Sequence, residues 1–222
     1  MNEEGIKRKL TAILSADVEG YTRLMSQDEV GTIRTLTAYR EAMATLIKEY
    51  KGRVVDAPGD NVLAEFASVV DAVNCAVEIQ RELAERNAEI PSARKMQFRI
   101  GVNLGDIIEE EGRIYGDGVN IAARIESLAE AGGISISSKV YEEVKNKLGL
   151  EYEFLGEQKV KNIPGPVRVY RVLSYPGADA QTEPASVDRI EHPLPEKPSI
   201  AVLPFTNMSE DPKQEFFSDG MT

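Results

Sequence analysis

Four side chains in this sequence have the types and spacing for phosphate chemistry. Asp17 closes the apolar run in LTAILSADVEGYTRL, Asp60 sits in VVDAPGDNVLAEF, and GDGVNIAARIE carries Asn120 and Arg124 four residues apart. Two carboxylates supply the hard oxygen ligands that Mg²⁺ or Mn²⁺ take alongside phosphate and water oxygens. Asn120 and Arg124 are one helical turn apart and share a face. An amide there can orient a ribose, and a guanidinium can fork onto phosphate. Together the four suit metal-assisted chemistry on a nucleoside triphosphate. Taken singly, each has a plainer reading. Asp60 fits a Pro-Gly-Asp-Asn hairpin turn, Asp17 fits the cap of a following helix, and Asn120 with Arg124 fits a solvated or ion-paired helix surface. Only the combination points to a site.

The elements that must position these residues follow from periodicity. Residues 9–16 read as a buried strand, and a helical region follows over about 22–50, with apolar positions at Leu24, Val30, Ile33, Leu36, Met43, Leu46, Ile47 and Tyr50. Gly52 ends that helix, and RVV and NVLAEF are short strands around the turn residues APGDN. Ser68 caps the next helix with Asp71 three residues on, and Val70, Val73, Val77 and Ile79 form its apolar face as far as Arg86. MQFRIGVNLGDIIEEE reads as two strands broken at Gly105. A helix over about 117–129 buries Ile121, Ile125 and Leu128, then come a strand at ISIS, a serine-capped helix SSKVYEEVKNKL, and a hairpin of YEFLGEQKV with VRVYRVL. The order β-α-β-β-α-β with later additions is that of a ferredoxin-like α/β (α+β) sandwich with extra C-terminal α/β elements. A right-handed crossover makes the second strand parallel to the first. Their C-terminal ends then share one sheet edge, which brings Asp17 and the Asp60 turn together.

Composition narrows the function. Of 222 residues, 42% are hydrophobic and 28% charged, the balance of a soluble globular chain, and the net charge of −11 argues against a nucleic-acid surface. A bound divalent cation can still invert the local field for an anionic ligand. No apolar run reaches the length of a membrane span, which takes roughly 18 residues, and MNEEGIKRKL lacks a signal-peptide core. A cytoplasmic location is expected. The single cysteine, Cys75, reads as core packing at helical spacing. His192, the only histidine, lies in a proline-rich stretch, which argues against a Ser-His-Asp triad or a histidine metal site.

Over residues 9–173 the chain resembles the class III nucleotidyl cyclase catalytic domain. ADVEGYTRL is similar to the strand-end metal motif, with Asp17 as ligand and the Val18 carbonyl nearby, and PGDNVLAEF to the second, with Asp60. GDGVNIAAR matches the signature carrying the transition-state pair Asn120 and Arg124. GEQKVKNIPGPVRVYRV resembles the terminal hairpin, where Lys161 meets the triphosphate, and FRIGVNLGD the central strands, with Arg99 near phosphate. The resemblance implies two Mg²⁺ or Mn²⁺ ions per site and conversion of ATP or GTP, ATP ahead, to the 3′,5′-cyclic nucleotide and pyrophosphate. It also implies a head-to-tail homodimer, the aspartates coming from one protomer and Asn120 with Arg124 from the other.

The departures concern the base. Where adenine-selecting members carry a lysine this chain has Asp56, and where they carry Asp or Thr it has Arg113. The charges are exchanged, so the pair either bridges to itself or reads the purine, and adenine against guanine stays open. The rival reading is a non-catalytic cyclase-homology domain that binds nucleotide and dimerises. A diguanylate cyclase would need a Gly-Gly-(Asp/Glu)-Glu-Phe hairpin, which APGDN is not. Residues 1–173 are thus expected to form the catalytic domain and 174–198 a Pro-rich linker. Residues 199–222, beginning SIAVLPFTNMS, resemble the start of a TolB-like module, expected to be truncated after Thr222. A sensing module attached to a helical repeat region also fits that arrangement.

Overall fold

The computed structural model describes residues 7–159 and 165–173. Lys161, the 174–198 linker and the 199–222 segment lie outside the described residues. In chain order the elements are β1 (Lys7–Val18), α1 (Tyr21–Gln27), α2 (Glu29–Glu49), β2 (Gly52–Asp56), β3 (Val62–Phe66), α3 (Val69–Asn87), β4 (Phe98–Glu110), β5 (Arg113–Tyr115), α4 (Asp117–Glu126), β6 (Ile134–Ser137), α5 (Ser138–Val144), β7 (Tyr152–Lys159) and β8 (Pro166–Val172). The strands form one sheet in the order β2-β3-β1-β4-β6-β8-β7, with β5 paired to β4. Its first half, β2-β3-β1-β4, is the ferredoxin-like core expected from the element order. β1 pairs antiparallel with both β3 and β4, and β2 pairs antiparallel with β3. β2 therefore runs parallel to β1 with β3 between them, and the C-terminal ends of β1 and β2 do share one edge.

The sheet is covered on both faces. Helices α2, α3 and α5 contribute Leu36, Met43, Val73, Ile79 and Val140 to one core that also holds Ala12, Leu14 and Ala16 of β1. The other face carries a smaller core of Ile13, Ile107, Ile114 and Ala122, under α4 and β5. β1 thus alternates between two cores, which is why both faces of its middle stretch, Thr11–Ala16, are buried. Cys75 is fully buried in the larger core, as expected, and burial pushes its thiol up to about 12. Among the described residues no helix is long and apolar enough to cross a membrane.

Four expectations are corrected. The long first helix is interrupted at Asp28, whose extended backbone ends α1 and whose side chain accepts from the Gly31 amide to start α2. Val30 and Ile33, read as core positions, are exposed, and Thr32 and Tyr39 take the buried stripe. Gly105 does not break its strand. β4 runs unbroken past it, and a side chain there would strike the Gly118 backbone of α4, as one at Gly101 would strike the Ala122 carbonyl and the Glu126 amide. The two glycines are notches that seat a helix on the strand. The buried stripe of α4 is accordingly Gly118, Ala122, Ile125 and Glu126 rather than Ile121, Ile125 and Leu128.

Candidate active site

Because side chains alternate along β1, Asp17 shares the α4 face with Ser15 and Ile13. Asp17 stands opposite Arg99 in the β1–β4 ladder, so the two charges meet across the strands: Arg99 Nη2 donates to Asp17 Oδ2 at 2.9 Å. The same guanidinium reaches Glu19 Oε2 at 2.9 Å through Nη1. Val18 is buried at the end of β1.

The second aspartate arrives on a built turn. Gly59 takes a left-handed φ of 56°, and the Asn61 amide donates back to the Pro58 carbonyl at 2.9 Å. Arg40 of α2 clamps this turn, Nη2 donating to the carbonyls of Gly59 and Asn61 at 2.8 Å each. Asp60 is thereby half-buried and close enough to Asp17 to feel its charge. Burial raises the Asp60 carboxyl first, the Asp17 charge and the contact between the two carboxyls add to it, and Arg40 opposes.

A third carboxylate, which the sequence reading missed, closes the cluster from α4. Glu126 is 4% exposed, and its Oε2 accepts from Ser15 Oγ at 3.0 Å. Ser15 Oγ in turn accepts from Asn61 Nδ2 at 3.3 Å, so a polar chain runs from the residue beside Asp60 to α4. Burial pushes the Glu126 carboxyl up to about 7. The Ser15 hydrogen bond opposes this, and the Asp17 charge adds to it. The signal was in the spacing: position 126 follows buried Ala122 by one turn and adjoins buried Ile125.

This raised carboxyl has a measurable consequence. Between its ordinary 4.5 and about 7 the folded chain holds a proton that the unfolded chain has released, so stability falls as pH rises through that window. In chelated buffer, Glu126→Gln should match wild type near pH 4 and exceed it above pH 7 by about 1–3 kcal/mol. Urea unfolding at several pH values reads this directly. A difference that does not change with pH would contradict the assignment.

The remaining candidates lie elsewhere. Asn120 and Arg124 are exposed on the side of α4 turned away from the sheet, and Arg124's guanidinium has no ion pair or hydrogen bond among the described residues. Asp56 and Arg113 are both exposed and do not pair with each other: Asp56 Oδ1 accepts from the Ala57 amide. The structure thus brings together Asp17, Asp60 and Arg99, adds Glu126, Glu19, Ser15, Asn61 and Arg40, and keeps Asn120 and Arg124 on a separate face.

Asp17 and Asp60 fit a divalent cation. Their oxygens are hard and partly open to solvent, and the reluctance of one carboxyl to ionise beside the other is what a cation relieves. Among the described residues no group of three His, Cys, Asp or Glu makes a ready cage.

Comparison with known proteins bears on this arrangement. A family model for the adenylate and guanylate cyclase catalytic domain matches residues 7–174. A Rhizobium meliloti (strain 1021) protein provisionally named adenylate cyclase 3 is 45% identical over 224 residues, covering 100% of this chain and 38% of that protein. A Streptomyces coelicolor adenylate cyclase is 31% identical over 146 residues, 64% of this chain and 36% of its own length. The chain thus spans well under half of either relative. The solved adenylate/guanylate cyclase/hydrolase of Silicibacter pomeroyi superposes with a TM-score of 0.72 at 39% identity, over 76% of this chain and 99% of that one.

Proposed function

From the premise that the chain belongs to the family of adenylate and guanylate cyclase catalytic domains, we propose that it cyclises a nucleoside triphosphate, ATP ahead of GTP. The products are the 3′,5′-cyclic nucleotide and pyrophosphate, made in the cytoplasm as a diffusible signal. The observation that carries this reading is the convergence of Asp17 and Asp60 at one sheet edge. The name of the Rhizobium meliloti relative supports adenine as the base.

Asp17 and Asp60, with the Val18 carbonyl, would hold two Mg²⁺ or Mn²⁺ ions. The chemistry such ions supply is a lower pKa for the ribose 3′-hydroxyl and neutralised charge on the pyrophosphate. The 3′-oxygen bonds to the α-phosphorus as the bond to the bridging oxygen breaks, and the hydroxyl proton leaves to solvent. Asn120 orients the ribose, and Arg124 meets the charge that builds on the α-phosphate. Lys161 holds the outer phosphates, while Arg99 stays with the acids of the metal edge, Asp17 and Glu19. As the family resemblance implies, a second copy arranged head to tail supplies Asn120 and Arg124, and their exposure on the outer side of α4 is compatible with that.

The deciding experiment incubates residues 1–173 with ATP or GTP and Mg²⁺ or Mn²⁺ and assays cyclic product. Nucleotide binding without product under every ion would favour the non-catalytic, dimerising alternative.

Asp56 and Arg113 read the purine in this proposal, since each is exposed and neither is neutralised by the other. Arg113→Ala and Asp56→Ala should each shift the ATP/GTP ratio of kcat/KM by about ten- to a hundred-fold, the worth of a hydrogen bond to a charged group. An unchanged ratio in both would remove them from base recognition.

A further inference from the structure

A cation already occupies the Asp17 carboxylate: the Arg99 guanidinium, at 2.9 Å. Its seat is incomplete. Nη1 holds Glu19 at 2.9 Å, but the Nε–H is buried without an acceptor. Glu126 is incomplete in the complementary sense. Its Oε2 accepts from Ser15, while Oε1 accepts no hydrogen bond among the described residues and lies 3.9 Å from Arg99 Nη2. A shift of about 1 Å would turn that approach into a charge-assisted hydrogen bond. A buried carboxylate with one neutral donor has much to gain from a guanidinium.

We propose that Glu126 is the second seat of Arg99, a positioning residue that receives the guanidinium when a divalent cation takes Asp17. This rests on the reading that Asp17 and Asp60 hold such cations. One carboxylate oxygen cannot serve both, because Arg99 and the ion repel at close range. Without Glu126, the Nη2 that leaves Asp17 has no acceptor to turn to, and only the half-exposed Glu19 holds Arg99 in the site. With Glu126 in place the cation exchange is local. Arg99 stays within the site, between β1 and α4, and the buried carboxylate gains a partner at the moment Asp17 loses one. Ser15 is the fixed point: its hydrogen bonds to Glu126 and from Asn61 keep the receiving carboxylate registered to the turn that carries Asp60. The helix that presents Asn120 and Arg124 outward is thereby tied to metal occupancy through its inward face.

The test is a double-mutant cycle on Mn²⁺ binding to the full chain, without nucleotide, read by the electron paramagnetic resonance of free Mn²⁺. Arg99→Met should tighten binding. Glu126→Gln keeps the side-chain shape and should weaken binding about tenfold when Arg99 is present, but less than about threefold in the Arg99→Met background, the non-additivity of groups acting on each other. A purely electrostatic or structural Glu126 would cost the same in both backgrounds, and that result would overturn the proposal. Near-UV circular dichroism checks each fold. If the Gln chain fails that check, Glu126→Asp, which withdraws the carboxylate by one methylene, should give the same background-dependent loss, and an equal loss overturns the proposal again. Asp17→Asn separates the two ideas. If it binds Mn²⁺ as wild type does, the metal assignment fails and this inference fails with it. If it loses Mn²⁺ while the cycle is additive, the metal assignment stands and only the role of Glu126 is overturned.

Discussion

Asp17→Ala and Asp60→Ala should each lower cyclic-nucleotide production by at least about a hundredfold, as expected when a ligand of a catalytic ion is removed. Neither change should lower the unfolding temperature measured in chelator. Function and stability pull apart here because the residues are crowded acids. The Asp60 carboxyl is raised by burial and by the Asp17 charge, so removing either relieves a repulsion that the metal-free fold carries. What Asp17→Ala gives up in return is the ion pair with Arg99, in which both side chains are about a quarter exposed. Such a pair contributes only about 0–1 kcal/mol. Near-normal turnover by Asp17→Ala would sink the metal assignment. A substituted chain that no longer folds would instead show that the acids are structural.

Much of this edge is legible in the sequence alone. An apolar run ending in Asp17, a helix, and a turn around Asp60 are enough to bring the two aspartates to one edge, because crossover handedness leaves little choice. The structure adds that β3 lies between the two parallel strands, so the meeting depends on the Asp60 turn and on Arg40, which grips it from α2. Arg40 is invisible in the sequence because a surface-facing Arg in a helix has the same local pattern whether or not a turn's carbonyls lie beneath it. Gly105 misleads for a related reason. Glycine in a strand pattern signals a break or a close approach, and only the position of α4 decides which.

Glu126 shows the same limit from the other side. Its spacing places it on the buried face of α4, but an acidic residue at such a position is read as solvated unless a partner is known. Its partner, Ser15, lies 111 residues away in the chain. The exposed Val30 and Ile33 show the opposite error, in which apolar type is taken for burial although Thr32 and Tyr39 hold the inward positions. Local pattern identifies elements well. It identifies which face is inside only when the neighbouring element is known.

Mixing Asp17→Ala and Arg124→Ala chains should restore activity that neither has alone. α4 presents two faces to two different places. Glu126 points inward and is linked through Ser15 to the edge that bears Asp17 and Asp60, while Asn120 and Arg124 point outward without partners among the described residues. One chain therefore offers the edge with Asp17 and Asp60 and the face with Asn120 and Arg124 in different directions, and in the proposed dimer a two-fold pair of chains would join them twice. In a dimer of one Asp17→Ala and one Arg124→Ala chain, one site collects both lesions and the other collects none. Random exchange of equal amounts makes half the dimers mixed, so total activity should recover to roughly a quarter of wild type. Differently tagged chains, captured on one tag and probed for the other, establish that exchange has occurred. With exchange demonstrated, a mixture as inactive as its components would mean that each site is built within one chain. Asn120 and Arg124 would then need another role on the outer face of α4.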